Sequence, residues 1–460
     1  MGTEVAVQPT VSRRLAEWVV ELQFERLPRE VVERAALLVL DNLGVQFRGT
    51  RLPNMRPVQS VAAALGGKPE ATTVLGSRVS APQAAWVNGT LGHSAEFDDA
   101  HMAAWHTGSA VVPAALAIAE REGSSGGQFL TAVVAGVQVM GLLGSVAGRG
   151  MLSAGWHGSK VLGVFGAAAA AGRLLGLTAA EFAHAFGIAA SDAGGTMEYD
   201  RAGGEVKRLH GGSSSRTGVE AALLARAGLT GPSTIFEGHR GIFAMFGGTH
   251  DISPLDSAWN DWQVVSTIFR FYPAVAATHS PLDALRAIRA AHPFDAQDVA
   301  EIRIGLPAWA VSHGAAITRP TEAISAQFSL AFGVGLHLTT GRNAPEDYFD
   351  PARWTDPDIL AIADIVRPYA MEIPAGDPNL SSRVEIVLRD GHRFEHYQPG
   401  FHGHPVSPAT AEDIVAKFRQ NANGILSAPA TDGVVAAVLG LATASTVRTL
   451  TAQLAPPVAA

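Results

Sequence analysis

The sequence predicts a mainly α protein, in which an α+β domain is inserted into a large all-helical domain. Three observations support this fold class. Residues 10–48 show helical periodicity, and Ala- and Gly-rich helical patterns broken by glycine turns run from residue 129 to about residue 226. Alternation of apolar and polar residues, typical of strands, begins only after residue 262, and helical patterns return after Pro405. We therefore predict a helical domain from residues 1–262 and 403–460, and an α+β domain from residues 263–402.

The helical part carries recognisable start and stop signals. Pro113 stands where a first-turn proline would open a helix through residues 115–122. The segment GVFGAAAAAGRLLGL at 163–177 is a helix pattern with a glycine near its end. The next four residues, TAAE at 178–181, form a capping box, which predicts that another helix begins there.

The α+β part is predicted from two alternating segments, VAEIRIGL at 299–306 and RVEIVLRDGHRFEH at 383–396. The dipeptide Asp390-Gly391 is a hairpin signal, so the second segment predicts two antiparallel strands. Helical patterns lie between the two segments, at 321–338 and 356–366.

Composition excludes several classes of function. The net charge is −8 and no basic run exceeds two residues, which disfavours a nucleic-acid partner. The absence of cysteine removes disulfides, thiol nucleophiles and cysteine-held iron–sulfur clusters. The apolar window 130–148 contains Gln138 and several small residues, so it predicts a buried core helix and no membrane partner. The N-terminus lacks the order of a signal peptide, and we expect a cytoplasmic protein.

The first candidate site is the segment HSAEFDDAHMAAWHTGS at 93–109. Metal binding, acid–base chemistry and a polar turn between helices are the alternatives for it. None of the established zinc-site spacings is present, and a polar turn with one Asp capping the next helix needs fewer titratable groups. Buried charges without partners are costly, so we favour acid–base chemistry. The titratable residues of this segment are His93, Glu96, Asp98, Asp99, His101 and His106.

A second candidate is GRGMLSAGWHGSK at 148–160, where His157, Ser159 and Lys160 precede an Ala-rich helix. The free N–H groups of a helix N-terminus beside a cation suit a carboxylate. The alternative is that His157 only packs on Trp156 in a turn.

Two further segments carry cations. The Gly-rich stretch 200–218 could bind an anion or form a surface loop, and it lacks the spacing of a phosphate-binding loop. The stretch 269–281 lies at the expected domain boundary, where ligand sites concentrate, but could equally be an ordinary turn. Together the four segments suggest a site for a small polyanion. The cationic and titratable residues of these two stretches are Lys207, Arg208, His210, Arg216, Arg270, Tyr272 and His279.

Several long blocks resemble the MmgE/PrpD (2-methylcitrate dehydratase) family, and the resemblance runs over essentially the whole chain. It is carried by NGTLGHSAEFDDAH, GWHGSKVLGVFGAAAAAGRLLGL, LHGGSSSRTGVEAALLARAGLTGPSTIFEGHRGIF, YPAVAATHSPLDAL and RDGHRF. The resemblance implies an all-helical domain with an inserted α+β lid, a homodimer, and no metal or organic cofactor. Relatives dehydrate 2-methylcitrate, decarboxylate cis-aconitate or epimerise iminodisuccinate, so a small polycarboxylate is the implied substrate.

The resemblance also implies roles for individual residues. His106 and His157 match active-site histidines of the family, and Lys207 matches an active-site lysine. The chain departs from the family pattern at several positions, and the loss of two hydroxyls and a histidine argues against cis-aconitate decarboxylation. Those departures are Glu96, Ala100, Lys160, Arg270, Val275 and Phe332.

The resulting hypothesis is a cofactor-free lyase that dehydrates a small di- or tricarboxylate similar to 2-methylcitrate. One histidine would remove a proton next to a carboxylate, and the other histidine or Glu96 would protonate the departing hydroxyl. The alternatives are an epimerase or isomerase acting on a dicarboxylate similar to iminodisuccinate, and a non-catalytic carboxylate-binding member. The residues assigned to catalysis are His106, His157 and Glu96, and those assigned to substrate binding are Lys207, Arg270, Lys160, His279 and His101.

Overall fold

The computed structural model describes residues 9–454, apart from the side chains of residues 201, 313 and 314. The described chain is 60% helical and 8% strand, which confirms a mainly α protein. The first half contains these helices and strands: α1 Val11–Glu21, α2 Arg29–Gly49, α3 Arg56–Leu65, β1 Ala71–Thr72, β2 Arg78–Val79, α4 Ala81–Gly92, α5 Gly108–Glu122, α6 Gly126–Ser153, α7 Gly158–Leu175, α8 Ala179–Ala189, α9 Tyr199–Ala202, α10 Leu209–Arg226, α11 Ile242–Gly247 and α12 Ser253–Ala258.

The second half combines a four-stranded sheet with shorter helices. Its elements are α13 His279–Ala291, β3 Val299–Leu306, α14 Ala308–Gly314, α15 Ala323–Gln327, α16 Leu330–Thr340, α17 Pro345–Tyr348, α18 Pro351–Trp354, α19 Pro357–Ala363, β4 Val366–Ala370, β5 Ser382–Leu388, β6 Arg393–Gln398, α20 Ala411–Ala422, α21 Ala428–Leu439 and α22 Arg448–Leu454.

The helices that carry the candidate site pack through their backbones. A Cβ atom added at Gly89 of α4 would lie 2.8 Å from Cα of Gly212 in α10, and one added at Gly212 would lie 2.2 Å from the carbonyl oxygen of Trp86. A Cβ added at Gly218 of α10 would lie 2.3 Å from Ala167 of α7. Larger side chains at these contacts would force the helices apart, so the small residues fix the helix positions.

Helix α6 explains the most apolar stretch of the chain. Among the described helices it alone is long and apolar enough to cross a membrane, and 89% of its most apolar window is buried inside the protein. A capping box stabilises its first turn. The Ser125 hydroxyl accepts from the backbone N–H of Gln128, and the side-chain oxygen of Gln128 accepts from the backbone N–H of Ser125. This burial agrees with the prediction of a core helix over residues 130–148.

The predicted start of α5 is wrong. The helix ends at Glu122 as expected, but it begins at Gly108, which places Pro113 inside it. A proline has no N–H group, so the carbonyl of Ser109 loses its helical partner. The hydroxyl of Ser215 in α10 lies 3.2 Å from that carbonyl and 2.6 Å from the carbonyl of Ala110, so its one proton is shared between the two. A contact with a distant helix therefore allows the proline in the interior of α5.

The four-stranded sheet has the order β4-β3-β5-β6. The pairs β3–β5 and β5–β6 are antiparallel, and β3–β4 is parallel. The hairpin predicted at Asp390-Gly391 is confirmed, with Gly391 at a φ of +92° between β5 and β6. The predicted helix over 321–338 is divided into α15 and α16, since Ser329 caps a new helix by accepting from the N–H of Phe332.

Two large hydrophobic cores correspond to these two kinds of structure. One joins residues from α1 to α12 with α20, α21 and α22. The other joins the sheet with α13, α15 and α16, and it also includes Tyr199 of α9. The domain limits at 262 and 403, and the role of the second part as a lid, stay predictions.

Candidate active site

The segment between α4 and α5 forms a tight buried turn. Glu96 has a φ of +53° and Trp105 a φ of +57°, and they are the only non-glycine residues with positive φ in the described chain. Such backbone conformations cost of the order of 1–3 kcal/mol and persist where the surroundings enforce them. Strained residues of this kind concentrate at functional sites, so this turn is a candidate part of an active site.

Asp99 holds the end of this turn against α5. Its Oδ2 accepts from the backbone N–H of Thr107 at 2.9 Å and from the hydroxyl of Thr107 at 2.8 Å. Its Oδ1 accepts from the N–H of Gly108 at 2.9 Å. Burial and the neighbouring Asp98 raise the pKa of Asp99 to about 7. These contacts match the alternative in which one Asp of the turn caps the following helix.

Glu96 lies at the centre of a buried cluster of cations. Its Oε1 accepts from Nη1 of Arg270 at 2.7 Å, and its Oε2 accepts from Nζ of Lys207. Arg208 approaches Oε2 at 3.5 Å. Burial alone would raise the pKa of Glu96, but Lys207, Arg270 and Arg208 outweigh it and hold that pKa well below its usual range. The carboxylate is therefore ionised at neutral pH.

Arg270 connects Glu96 to Asp98. Its Nη2 donates to Oδ1 of Asp98 at 2.8 Å and its Nε donates to the Asp98 carbonyl at 2.6 Å. The other carboxylate oxygen of Asp98 accepts from Nδ1 of His93 at 2.8 Å. Arg270 is 1% exposed, so its charge depends on these carboxylates for compensation.

Four imidazoles lie beside this ionic cluster. The ring centroids of His93 and His106 are 4.7 Å apart, those of His106 and His157 are 6.0 Å apart, and those of His157 and His210 are 4.9 Å apart. Nδ1 of His106 lies 2.7 Å from the carbonyl oxygen of Asp99. A carbonyl oxygen only accepts, so Nδ1 carries the proton and Nε2 of His106 is left free to accept one.

Burial keeps His106 and His157 neutral. It lowers the pKa of His106 to about 3, an effect that Arg270 strengthens and Asp98 opposes. It also lowers the pKa of His157 well below its ordinary value, together with the nearby His210 and Lys207. At neutral pH both candidate catalytic histidines are therefore proton acceptors.

The structure brings the residues Glu96, Lys207, Arg270, His106 and His157 together, and it places the other three predicted residues differently. Nζ of Lys160 donates to the carbonyl of Asp192 at 2.7 Å. Nδ1 of His101 accepts from the N–H groups of Ala103 and Ala104, both at 3.2 Å. Nε2 of His279 donates to the carbonyl of Ala274 at 3.1 Å. Their roles in substrate binding stay predictions.

Four residues of the site were missing from the predicted set: His93, Arg208, His210 and Gln327. Oε1 of Gln327 accepts from Nη2 of Arg208 at 2.5 Å, and its Nε2 donates to the carbonyls of Ala95 and Pro273 at 2.6 and 3.0 Å. His93 lies in the candidate segment 93–109, and Arg208 and His210 in the candidate stretch 200–218, so their positions next to predicted site residues could have identified them. Gln327 lies in no motif, and only the fold brings it to Arg208.

A metal ion is the other ligand that these side chains could hold. His93, His106 and His157 each offer one nitrogen, and these three nitrogens lie within 4.8 Å of one another. The charges of Lys207 and Arg270 lower the pKa of His106 through the same repulsion that a metal cation would experience. The site therefore suits an anion better than a cation, and the expected absence of a metal stays a prediction.

A cleft of about 200 Å³ lies next to this cluster, and its lining includes Tyr199 and Phe328. The ring of Tyr199 is 5.8 Å from that of His157, and Nζ of Lys207 is 5.2 Å from the centroid of the Phe328 ring. The cleft thus adjoins both the histidines and the cations.

Comparison with known proteins agrees with the resemblance seen in the sequence. Residues 13–255 match the MmgE/PrpD N-terminal domain, and residues 272–441 match the MmgE/PrpD C-terminal domain. The cis-aconitate decarboxylase-like protein oryM of Aspergillus oryzae is 29% identical over 98% of both chains. The cis-aconitate decarboxylase of Mus musculus is 28% identical over 93% of this chain and 90% of its own. That of Homo sapiens is 27% identical over 91% of this chain and 89% of its own. The chain therefore belongs to the MmgE/PrpD family.

Proposed function

We propose that this protein is a lyase that acts on a small di- or tricarboxylate by acid–base catalysis, and that its reaction is the dehydration of a 2-methylcitrate-like hydroxy acid. One observation carries the proposal. Buried cations that can bind a carboxylate, Lys207 and Arg270, lie next to two neutral histidines that can accept a proton, His106 and His157. Removal of a proton beside a carboxylate requires both functions in one place.

The charge balance of the cluster supports an anionic ligand. Lys207, Arg208 and Arg270 supply three buried positive charges, and Glu96 and Asp98 supply two buried negative ones, while Asp99, with a pKa of about 7, is only partly ionised at neutral pH. Glu205, which pairs with Arg208 at 3.1 Å, has a side chain that is 34% exposed, so solvent screens its charge. A substrate carboxylate would compensate the remaining charge, and arginine can bind it through two hydrogen bonds.

Substrate binding would also activate the bases. A histidine with a pKa of about 3 is a weak base, and catalytic bases work best with a pKa near the operating pH. A bound polycarboxylate places negative charge near His106 and His157, which favours their protonated forms and raises their pKa values. Proton removal is then efficient only when an anionic substrate occupies the site.

Lys207 is the best-placed acid for the departing hydroxyl. Burial, together with Arg208 and Arg270, lowers the pKa of Lys207 to about 8, so its ammonium group is still charged at neutral pH yet gives up a proton readily. The ionised Glu96 has no proton to donate, and its carboxylate instead holds the ammonium group in position. Lys207 replaces Glu96 as the proton donor in this mechanism.

Decarboxylation is the second candidate, favoured by the names of the relatives. Two observations weigh against it. Resting neutral histidines suit a reaction that begins by removing a proton, whereas decarboxylation needs a proton supplied. Phe332, where the decarboxylase branch is expected to have a tyrosine hydroxyl, is fully buried and its ring packs 5.7 Å from that of Tyr348.

The test is incubation of the protein with a panel of di- and tricarboxylates, with products read by NMR and mass spectrometry. Loss of one water with an unsaturated product supports dehydration, and release of carbon dioxide supports decarboxylation instead. Deuterium that enters recovered substrate without an unsaturated product indicates an epimerase. Ligand-induced thermal stabilisation without turnover indicates a non-catalytic binding protein.

Variants assign the residues in that assay. We expect His106→Ala and His157→Ala to lose about 10²–10⁴-fold in turnover, as general acid–base residues do. His184→Gln is the matched control, because His184 lies in α8 and bonds the Gly231 carbonyl at 3.1 Å, away from the cluster. The assignment is wrong if both alanine variants stay within about threefold of the parent, far below that expected loss.

A further inference from the structure

The mechanism above does not use His210, a buried imidazole that lies next to His157. Nδ1 of His210 lies 2.9 Å from Nδ1 of His157. Two N–H groups cannot face each other at that distance, and two bare nitrogens would repel, so a single proton lies between the rings. The position of this proton decides the state of His157. When it is on His157, Nε2 of His157 is bare and accepts a proton, and when it is on His210, Nε2 of His157 is a donor.

The proposed dehydration creates a need for proton transport. After each turnover His157 holds the proton taken from substrate, and Lys207 has lost the one given to the departing hydroxyl. His157 is 2% exposed and Lys207 is also 2% exposed, so neither exchanges protons easily with bulk solvent. Dehydration leaves the total number of protons on the protein unchanged, so the site is reset once His157 has given up one proton and Lys207 has gained one. A route to solvent would let both exchanges occur without direct contact between the two groups.

His210 lies on the side of His157 that leads outward. A Cβ atom added at Gly195 would lie 3.2 Å from Cε1 of His210 and 2.8 Å from Cγ of Lys160, so these two side chains face the same glycine. Lys160 is only partly buried, and burial lowers its pKa to about 8, which allows it to exchange protons with solvent near neutrality. His210 thus lies between the buried base and the side chain of Lys160, whose amine donates to the Asp192 carbonyl at 2.7 Å and whose charge acts on His210.

We propose that His210 is a proton relay between His157 and solvent, with Lys160 at its outer end. His157 gains the substrate proton at Nε2 and passes its Nδ1 proton to Nδ1 of His210. His210 in turn releases its Nε2 proton on the side of Lys160. Only N–H bonds are made or broken. In the reverse sequence His210 takes a proton from solvent at Nε2 and returns its Nδ1 proton to His157, and the Nε2 proton of His157 passes to the neutral amine of Lys207, which restores the starting state. The relay rests on the proposed function, in which His157 is a base.

Two substitutions distinguish a relay from a residue that only positions His157. In His210→Gln the amide oxygen can still accept the Nδ1 proton of His157, but the amide cannot pass a proton on. We expect kcat to fall about 10²-fold with KM within about twofold, and exogenous imidazole to restore much of the rate. His210→Ala should lose at least as much and be restored by imidazole as well. His184→Gln should match the parent.

A relay is excluded if His210→Gln keeps the parental kcat, or if imidazole restores neither variant. NMR of ¹⁵N-histidine-labelled protein provides a readout that does not depend on turnover. The parent and His184→Gln should show a strongly shifted proton shared by two imidazole Nδ1 atoms, which is absent in His210→Gln. If that resonance is absent from the parent, the relay is wrong. If it is present but no polycarboxylate is turned over, the proposed function has failed while the imidazole pair stands.

Discussion

Arg270 donates to Glu96 from Nη1 at 2.7 Å, and both side chains are almost completely buried. Glu96 holds this contact from a strained backbone, with a φ of +53°. A buried ion pair contributes modest net stability, but removal of one partner leaves an uncompensated charge. Removal of either Glu96 or Arg270 would therefore leave the other with an uncompensated buried charge, and it would destabilise the turn that contains Glu96.

Substitution of Arg270 tests that dependence. We expect Arg270→Gln to lower the free energy of unfolding by about 3–5 kcal/mol, since Glu96 and Asp98 lose their shared cation. Urea denaturation measures the change. Arg383→Gln is the control, because Arg383 pairs with Glu395 at 2.6 Å on the surface with side chains 44% and 51% exposed. Loss of that exposed pair should lower the free energy of unfolding by only about 0–1 kcal/mol. Equal losses for the two variants would contradict a buried ionic centre.

Lys207 should set the alkaline limit of activity. Its pKa is lowered to about 8 by burial first and by Arg208 and Arg270, so the ammonium group is lost as the pH rises through that value. We expect turnover to fall above a pH of about 8, measured as a pH–rate profile. Arginine stays protonated throughout this range, so Lys207→Arg should have lower activity without this alkaline limb. An unchanged limb in Lys207→Arg would assign it to another group.

His106 should make stability depend on pH in a defined direction. Its pKa is about 3 in the folded chain, below the value of about 6.5 expected for an unfolded chain. Between these values the unfolded state binds the proton and the folded state does not, so the contribution of His106 to stability falls as the pH is lowered.

The comparison of the parent with His106→Gln isolates this effect from Asp99 and from the other histidines. The free energy of unfolding of the parent minus that of the variant should decrease as the pH falls below about 6.5. The same difference should be constant above a pH of about 7.5. Urea denaturation at several pH values measures it. A difference that grows on acidification would mean that folded His106 is charged.

Gly158 should be needed to position both catalytic histidines. A Cβ atom at Gly158 would lie 1.8 Å from Cε3 of Trp105, the strained residue that precedes His106. Gly158→Ala should therefore displace the Trp105 ring or the start of α7, with about 1–3 kcal/mol lost in stability and a fall in kcat. Gly194→Ala is the control, since nothing lies within 4 Å of a Cβ there. Equal behaviour of the two variants in denaturation and turnover would refute the role of this contact.

Structural features that depend on a short stretch of sequence were predicted correctly. The capping box of Thr178 and Glu181, the hairpin at Asp390-Gly391 and the core helix over 130–148 are each present. Each depends on side chains within a few residues, so the signal is contained in a short segment. The start of α5 was predicted wrongly because it depends on Asp99 before the helix and on Ser215 in α10.

The candidate site was predicted in part for the same physical reason. His106, Glu96 and Lys207 occur in motifs, and the fold brings them together. Gln327 is 232 residues from Ala95, whose carbonyl it bonds, and no local pattern can predict such a contact. The parallel pairing of β3 with β4 also depends on elements separated by six helices. Long-range contacts of this kind are determined by the packing of the whole chain.

The contact of Gly89 in α4 with Gly212 in α10 has a consequence for how the protein can diversify. Because these helices touch through their backbones, almost any added carbon atom at the contact is rejected. Selection for a new substrate therefore cannot act by enlarging this part of the molecule. The contact between α4 and α10 therefore tolerates little substitution, and we expect changes in ligand preference to come from the turn at 93–107 and from the side chains around the cleft.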